Sequence, residues 1–181
     1  MKALPLKARL FIVVTTLTGA FFLVFSQSQA LAGTRPPNWE VLIFLALSVV
    51  AGGTKINLSS RLKNAEAGSM SLGFAVALAA LLKCGLAAGV IVNAGGTLWS
   101  CLYPKRQATP QLIFNVALAC IEGTLGGLVY ASLKPATLSG HTVQAFLAVT
   151  ATSLTYYAVN TFSVSVVIAL CTQKNPLKVW K

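Results

Sequence analysis

Apolar residues run in long blocks along this chain. The blocks are Leu10 to Phe25, Trp39 to Gly53, Met70 to Tyr103, Gln111 to Leu133 and Val143 to Cys171, and the segments between them hold Lys, Arg, Pro, Ser and Asn. At about 20 residues per crossing, blocks of this length indicate helices that span a bilayer. One block has the wrong length. Met70 to Leu102 as a single helix would reach about 50 Å, against a hydrocarbon core of about 30 Å. Split at Lys83-Cys84-Gly85, it gives a hairpin of two short helices, the first about 20 Å long. Such a helix has to be packed in protein, which membrane folds permit where broken backbone is covered.

Positive charges choose between the two topologies, because Lys and Arg accumulate in cytoplasmic loops. With the amino terminus inside and the long block split, 11 of the 14 basic residues fall inside: Lys2, Lys7, Arg9, Lys55, Arg61, Lys63, Lys105, Arg106, Lys174, Lys178 and Lys181. Arg35, Lys83 and Lys134 remain outside. An unbroken block would bury Lys83 and divide the others almost evenly. The expected fold is therefore all-α, a polytopic membrane helix bundle of about six transmembrane helices including a short-helix hairpin. The helices are expected at about 8–27, 39–54, 70–82, 85–103, 111–133 and 143–171, within one integral-membrane domain covering 1–181 and with no soluble domain. The location this implies is the bacterial cytoplasmic membrane, with both termini cytoplasmic. Ala30-Leu31-Ala32 imitates a signal-peptidase site, but the 20 residues from Ala8 to Gln27 are long enough to span, and a retained first helix is expected. Lys55 to Ser69 is expected as the longest cytoplasmic loop, with Ile56, Leu58 and Leu62 along the membrane surface.

Composition narrows the function. Hydrophobic residues make up 56% of the 181 and charged residues 9%, where a soluble domain carries about 25% charged. The net charge of +11 does not imply nucleic acid, because the basic residues sit in short groups between apolar blocks instead of collecting on one face. Three acidic residues (Glu40, Glu66, Glu122), no Asp and one histidine, His141, leave little material for triads, paired carboxylates or metal sites. With Glu40 outside, Glu66 inside and Glu122 midway, the carboxylates cannot converge. No enzyme activity, metal or cofactor is expected. The cysteines (Cys84, Cys101, Cys120, Cys171) lack C-x-x-C spacing and read as packed thiols.

Glu122 is the outstanding residue, because an ionised carboxylate near the bilayer midplane costs at least about 2.5 to 3.5 kcal/mol. It should face protein and be protonated or paired. Asn160 lies at similar depth in the last helix, within reach of Glu122, with Tyr156 and Tyr157 one turn earlier. Asn93 and Asn115 complete the candidate ligand-binding set, and each can equally bridge helices as structural glue. Gly85 and Gly89, and Gly123 and Gly127, are G-x-x-x-G spacings that let helices approach closely, within the chain or in a homodimer. His141 reads as a solvated loop residue.

A resemblance adds to this. Ser71-Leu72-Gly73-Phe74-Ala75-Val76-Ala77-Leu78, Phe114-Asn115-Val116-Ala117 continuing to Leu128-Val129-Tyr130, and Tyr157-Ala158-Val159-Asn160-Thr161 leading to Asn175-Pro176-Leu177-Lys178-Val179-Trp180 occur in this order. The set resembles the membrane-embedded amino-terminal sensory region of bacterial GGDEF and HD-GYP proteins, from about Trp39 onward. One departure is Cys84-Gly85-Leu86 at a turn that often reads Gly-Pro there. The resemblance implies a signal-input domain in cyclic-di-GMP signalling, acting on a cytoplasmic GGDEF or HD-GYP output domain. Two other readings of the same residues are a small-molecule, vitamin-like binding or transport subunit, and a membrane scaffold in which every polar residue serves packing.

Overall fold

Backbone polar groups in an apolar setting must be satisfied within their own segment, and this chain does so with helices. A computed structural model describes residues 4–31, 38–53, 55–57, 69–134, 142–173 and 175. These form α1 (Leu6–Leu31), α2 (Asn38–Gly53), α3 (Gly73–Cys84), α4 (Leu86–Leu102), α5 (Thr109–Leu133) and α6 (Thr142–Thr172). Two three-residue strands, β1 (Lys55–Asn57) and β2 (Ser69–Ser71), join α2 to α3. Three segments, Leu6–Gln29, Thr109–Leu133 and Thr142–Thr172, are long and apolar enough to cross a membrane, while α2, α3 and α4 are shorter apolar helices.

The long block breaks where expected, at Gly85. Its φ of 87° lies where a side chain is disfavoured, and its amide still reaches the Leu81 carbonyl at 3.0 Å while its carbonyl accepts from Gly89 at 3.0 Å. Both backbone groups of Gly85 itself are thus satisfied at the turn. Gly85 is not a packing residue, contrary to its G-x-x-x-G spacing: a Cβ there would meet nothing within 4 Å. The other three glycines of those pairs do pack. A Cβ on Gly89 would lie 2.9 Å from Leu81 Cα, and one on Gly123 3.3 Å from Val90. One on Gly127 would strike Leu86.

A second correction concerns the segment before α3. Lys55 to Ser69 was expected as a loop, but its ends pair antiparallel, with Lys55 opposite Ser71, Ile56 opposite Met70 and Asn57 opposite Ser69. Because 69–71 are extended, α3 starts at Gly73 and not at residue 70. Leu58 and Leu62, like Arg35, Glu66 and His141, lie outside the described residues. At the other extreme, α1 runs to Leu31, past the expected end at 27, so Ala30 and Leu31 are helical.

Helices consecutive along the chain alternate in direction, while α1 and α5 run parallel, with Phe11 beside Phe114 and Thr124 beside Phe22. Gln27, near the end of α1, donates to the Ala87 carbonyl at the start of α4 at 3.3 Å. Lys83, at the end of α3, pairs with Glu40, at the start of α2, at 3.5 Å. Gln144 at the start of α6 donates to Leu133 at the end of α5 at 3.2 Å. Helix α5 packs against α1, α4 and α6, and α4 also against α2 and α3. Small residues set these approaches: a Cβ on Gly19 of α1 would stand 2.5 Å from the Ala117 carbonyl of α5, and one on Gly52 of α2 2.8 Å from that of Gly96 in α4.

Burial divides the helices. More than half of the α5 span is enclosed (56%), against 17% for α1 and α6. On the outside stand Leu10, Val14, Leu17, Phe21 and Val24 of α1 and Phe146, Leu147, Leu154 and Phe162 of α6, all exposed. Continuous apolar surface of this kind is what a lipid solvent tolerates and water does not. Hydroxyls within the helices bond back to their own backbone, as Thr16 does to Ile12 at 2.7 Å and Thr152 to Ala148 at 2.8 Å, which hides them from an apolar surround.

Candidate functional site

Glu122 lies midway along α5, and the enclosure of that helix puts its carboxyl in the interior, 6% exposed. Asn93 occupies the middle of α4 and Asn160 the middle of α6, the two helices flanking α5. Equal depth on adjacent helices brings the three together. Asn93 Nδ2 donates to Glu122 Oε1 at 3.1 Å, and Asn160 Nδ2 donates to Oε2 at 3.0 Å. Asn93 Nδ2 also donates to the Ala119 carbonyl at 2.9 Å. That second contact fixes the amide: exchanging its O and N would set two carbonyl oxygens against each other.

The cluster forms part of the wall of a cavity of about 500 Å³ between α2, α3, α4, α5 and α6. Phe74, Tyr156 and Tyr157 supply aromatic surface, and Ser48, Thr97, Ser100, Ser153 and Thr161 supply hydroxyls. Ser48 donates to the Val92 carbonyl at 3.1 Å, close beside Gly96. Tyr156 is 2% exposed and packs edge-on against Phe74, with ring centres 5.0 Å apart. A Cβ on Gly126 would collide with its ring, so glycine at that position creates the slot the ring fills. The hydroxyl of Tyr156 has no hydrogen-bond partner among the described residues. Buried tyrosine hydroxyls normally have one.

Asn115 lines the same cavity near the start of α5, but apart from the carboxyl cluster. Its Nδ2 donates to Gln107 Oε1 at 2.9 Å and approaches Cys101 Sγ at 3.6 Å. Gln107, Asn115 and Val164 also line a second crevice, of about 470 Å³, with Leu4, Ile12, Phe114 and Cys171. The amide pair therefore belongs to the partition between an inner cavity and a crevice at the end of the bundle where α1 begins. At the opposite end, Glu40 accepts from Lys83 and, at 3.7 Å, from Cys84 Sγ. Cys84, Cys101 and Cys120 are buried thiols, and Cys171 is exposed.

All four candidate polar residues thus meet one cavity, three in one hydrogen-bonded cluster and Asn115 in another. Tyr156, Gln107 and Ser48 were not singled out as site residues in the sequence. Tyr156 was open to detection: it precedes Asn160 by four residues, a spacing that puts both on one helix face. Gln107 stands in the α4 to α5 connection, where sequence spacing carries no directional information. Chemically, the cavity wall carries a carboxyl, side-chain amides and hydroxyls that can bond a molecule within it, while the Tyr156 hydroxyl is packed out of reach. Compared with protein families, with characterised proteins and with solved structures, this chain matches none.

Proposed function

We propose that this chain is a multi-pass membrane sensory domain, in which a small molecule entering the cavity biases a cytoplasmic output partner. The observation that carries the reading is the Asn93, Glu122, Asn160 cluster on the wall of a cavity of about 500 Å³. Polar side chains within a membrane are expensive and are kept where they serve a ligand, a relay or helix association. A cavity next to them favours the first. Pockets for organic ligands have volumes of about 300–1,000 Å³.

In this reading α2, α3 and α4 also lie within the bilayer, both termini are cytoplasmic, and the membrane is the bacterial cytoplasmic membrane. The alternating helix directions and the pairing of Lys83 with Glu40 on one side support that topology. The output partner, a GGDEF or HD-GYP domain, comes from the resemblance of the Ser71 to Leu78, Phe114 to Ala117 and Tyr157 to Thr161 segments. The test is cyclic-di-GMP in cells carrying Glu122→Gln at the native locus, with the chain's abundance measured alongside. A changed cyclic-di-GMP level at equal abundance is expected.

A small-molecule capture or transport subunit is the second reading, favoured by the crevice that adjoins the cavity across the Gln107 and Asn115 pair. Loss of solute uptake in Glu122→Gln with unchanged cyclic-di-GMP would select it. A scaffold predicts that Glu122→Gln leaves both unchanged while Gly123→Leu, against Val90, destabilises the bundle.

A further inference from the structure

We propose that the crevice at the end of the bundle where α1 begins holds one acyl chain of an anionic phospholipid, with the phosphate of that lipid on Lys7, Arg9, Lys105 and Arg106. This goes beyond the cavity reading and requires only that the chain lies in a membrane.

The crevice is framed by the first turns of α1 and α5 and the last turns of α6. Its walls are mainly apolar, with Ile12, Phe114, Val164 and Val167 among them, and from Thr172 to Val164 they follow α6 for about 12 Å. Ile168 belongs to the same wall and is exposed, so the crevice opens on the apolar outer surface of α6. The Gln107 and Gln111 amides stand at its polar end, where they can donate to the ester carbonyls of a lipid.

Charge supplies the second, independent sign. Lys7 follows the lining residue Leu4 by three positions, and Arg9 precedes the lining residue Ile12 by three, spacings that make each cation a surface neighbour of the wall. Lys105 and Arg106 directly precede Gln107, and all four cations are exposed. None has an ion-pair partner among the described residues, where Lys83 and Glu40 pair at the opposite end. Glu122 stands midway along α5, and the sequence holds one further acid, Glu66, against 14 basic residues.

An apolar slot with a cationic rim suits an amphiphile with a negative head, as basic pockets between membrane helices do. A zwitterionic lipid would bring a cation of its own to the rim. A soluble anion would leave the apolar walls unused, and a second copy of the chain would set like charges together.

The test is native mass spectrometry of the full chain in neutral detergent with equimolar dioleoylphosphatidylglycerol and dioleoylphosphatidylcholine. One phosphatidylglycerol should be retained, with a preference of about tenfold over phosphatidylcholine. Lys105→Gln combined with Arg106→Gln should cut that preference by about fivefold. Lys83→Gln combined with Lys134→Gln removes the same charge from the opposite end and should leave it unchanged. Val167→Trp, which fills the crevice and keeps the cations, should abolish retention, and glycerol 3-phosphate, a head without a chain, should not displace the lipid. Equal retention of the two lipids, or equal effects of the two charge pairs, would overturn the proposal. Retention that survives Val167→Trp, or displacement by glycerol 3-phosphate, would put the lipid on the surface and overturn the crevice as its site. The cavity reading is untouched by any of these results and fails separately, on unchanged cyclic-di-GMP in Glu122→Gln.

Discussion

Asn93 and Asn115 line one cavity, yet their two neighbourhoods are finished differently. At the end of the bundle, the Asn115 amide meets the Gln107 carbonyl at 2.9 Å, and neither group carries a charge. In the middle, Asn93 and Asn160 converge on a carboxyl, and a buried phenol stands by without a partner. The first arrangement is complete in itself, as interhelical amide contacts in membranes commonly are. The second holds more hydrogen-bonding capacity than the chain uses. Polarity alone therefore does not mark a site in a membrane bundle; polarity left over after the internal pairing is counted does.

The contrast can be broken most forcefully from the glycine side. Gly126→Leu drives atoms into the Tyr156 ring and should destabilise the chain by about 1–3 kcal/mol, seen as a lowered unfolding midpoint in detergent. Truncating Asn93 to Ala removes a donor from Glu122 Oε1 and should cost about 1–2 kcal/mol in the same assay. Asn115→Ala should cost less, about 0.6 kcal/mol, because Gln107 is only half-buried and can find other partners. Equal losses at the two asparagines would erase the distinction. Lys83→Ala breaks the pair with Glu40, but the lysine is 59% exposed, and a change within about 0.5 kcal/mol is expected.

Much of the bundle was legible because apolar block length and charge placement are coarse signals that a bilayer enforces. The break at Gly85 followed from the impossible length of residues 70–102 as one helix. Its role did not: the spacing to Gly89 suggested packing, while the φ of 87° is a property of the turn that spacing cannot carry. The strands at Lys55–Asn57 and Ser69–Ser71 were hidden because three residues are too few to show alternation, and Met70 extended an apolar block. Glu122 and Asn160 stood out because polar side chains deep within apolar blocks are conspicuous. Tyr156 did not, since a tyrosine in an apolar helix looks like ordinary aromatic packing until its hydroxyl is found without a partner.

The most direct measurement is isotope-edited infrared spectroscopy of the Glu122 carboxyl in the reconstituted chain. With 13C-labelled glutamate, the difference between native chain and Glu122→Gln isolates its band from those of Glu40 and Glu66. Because Asn93 and Asn160 address different oxygens, the band should shift in Asn93→Ala and, separately, in Asn160→Ala, while Asn115→Ala leaves it in place. A band insensitive to both Asn93→Ala and Asn160→Ala would mean that the three helices do not meet at this carboxyl, and would contradict the cluster on which the functional reading stands.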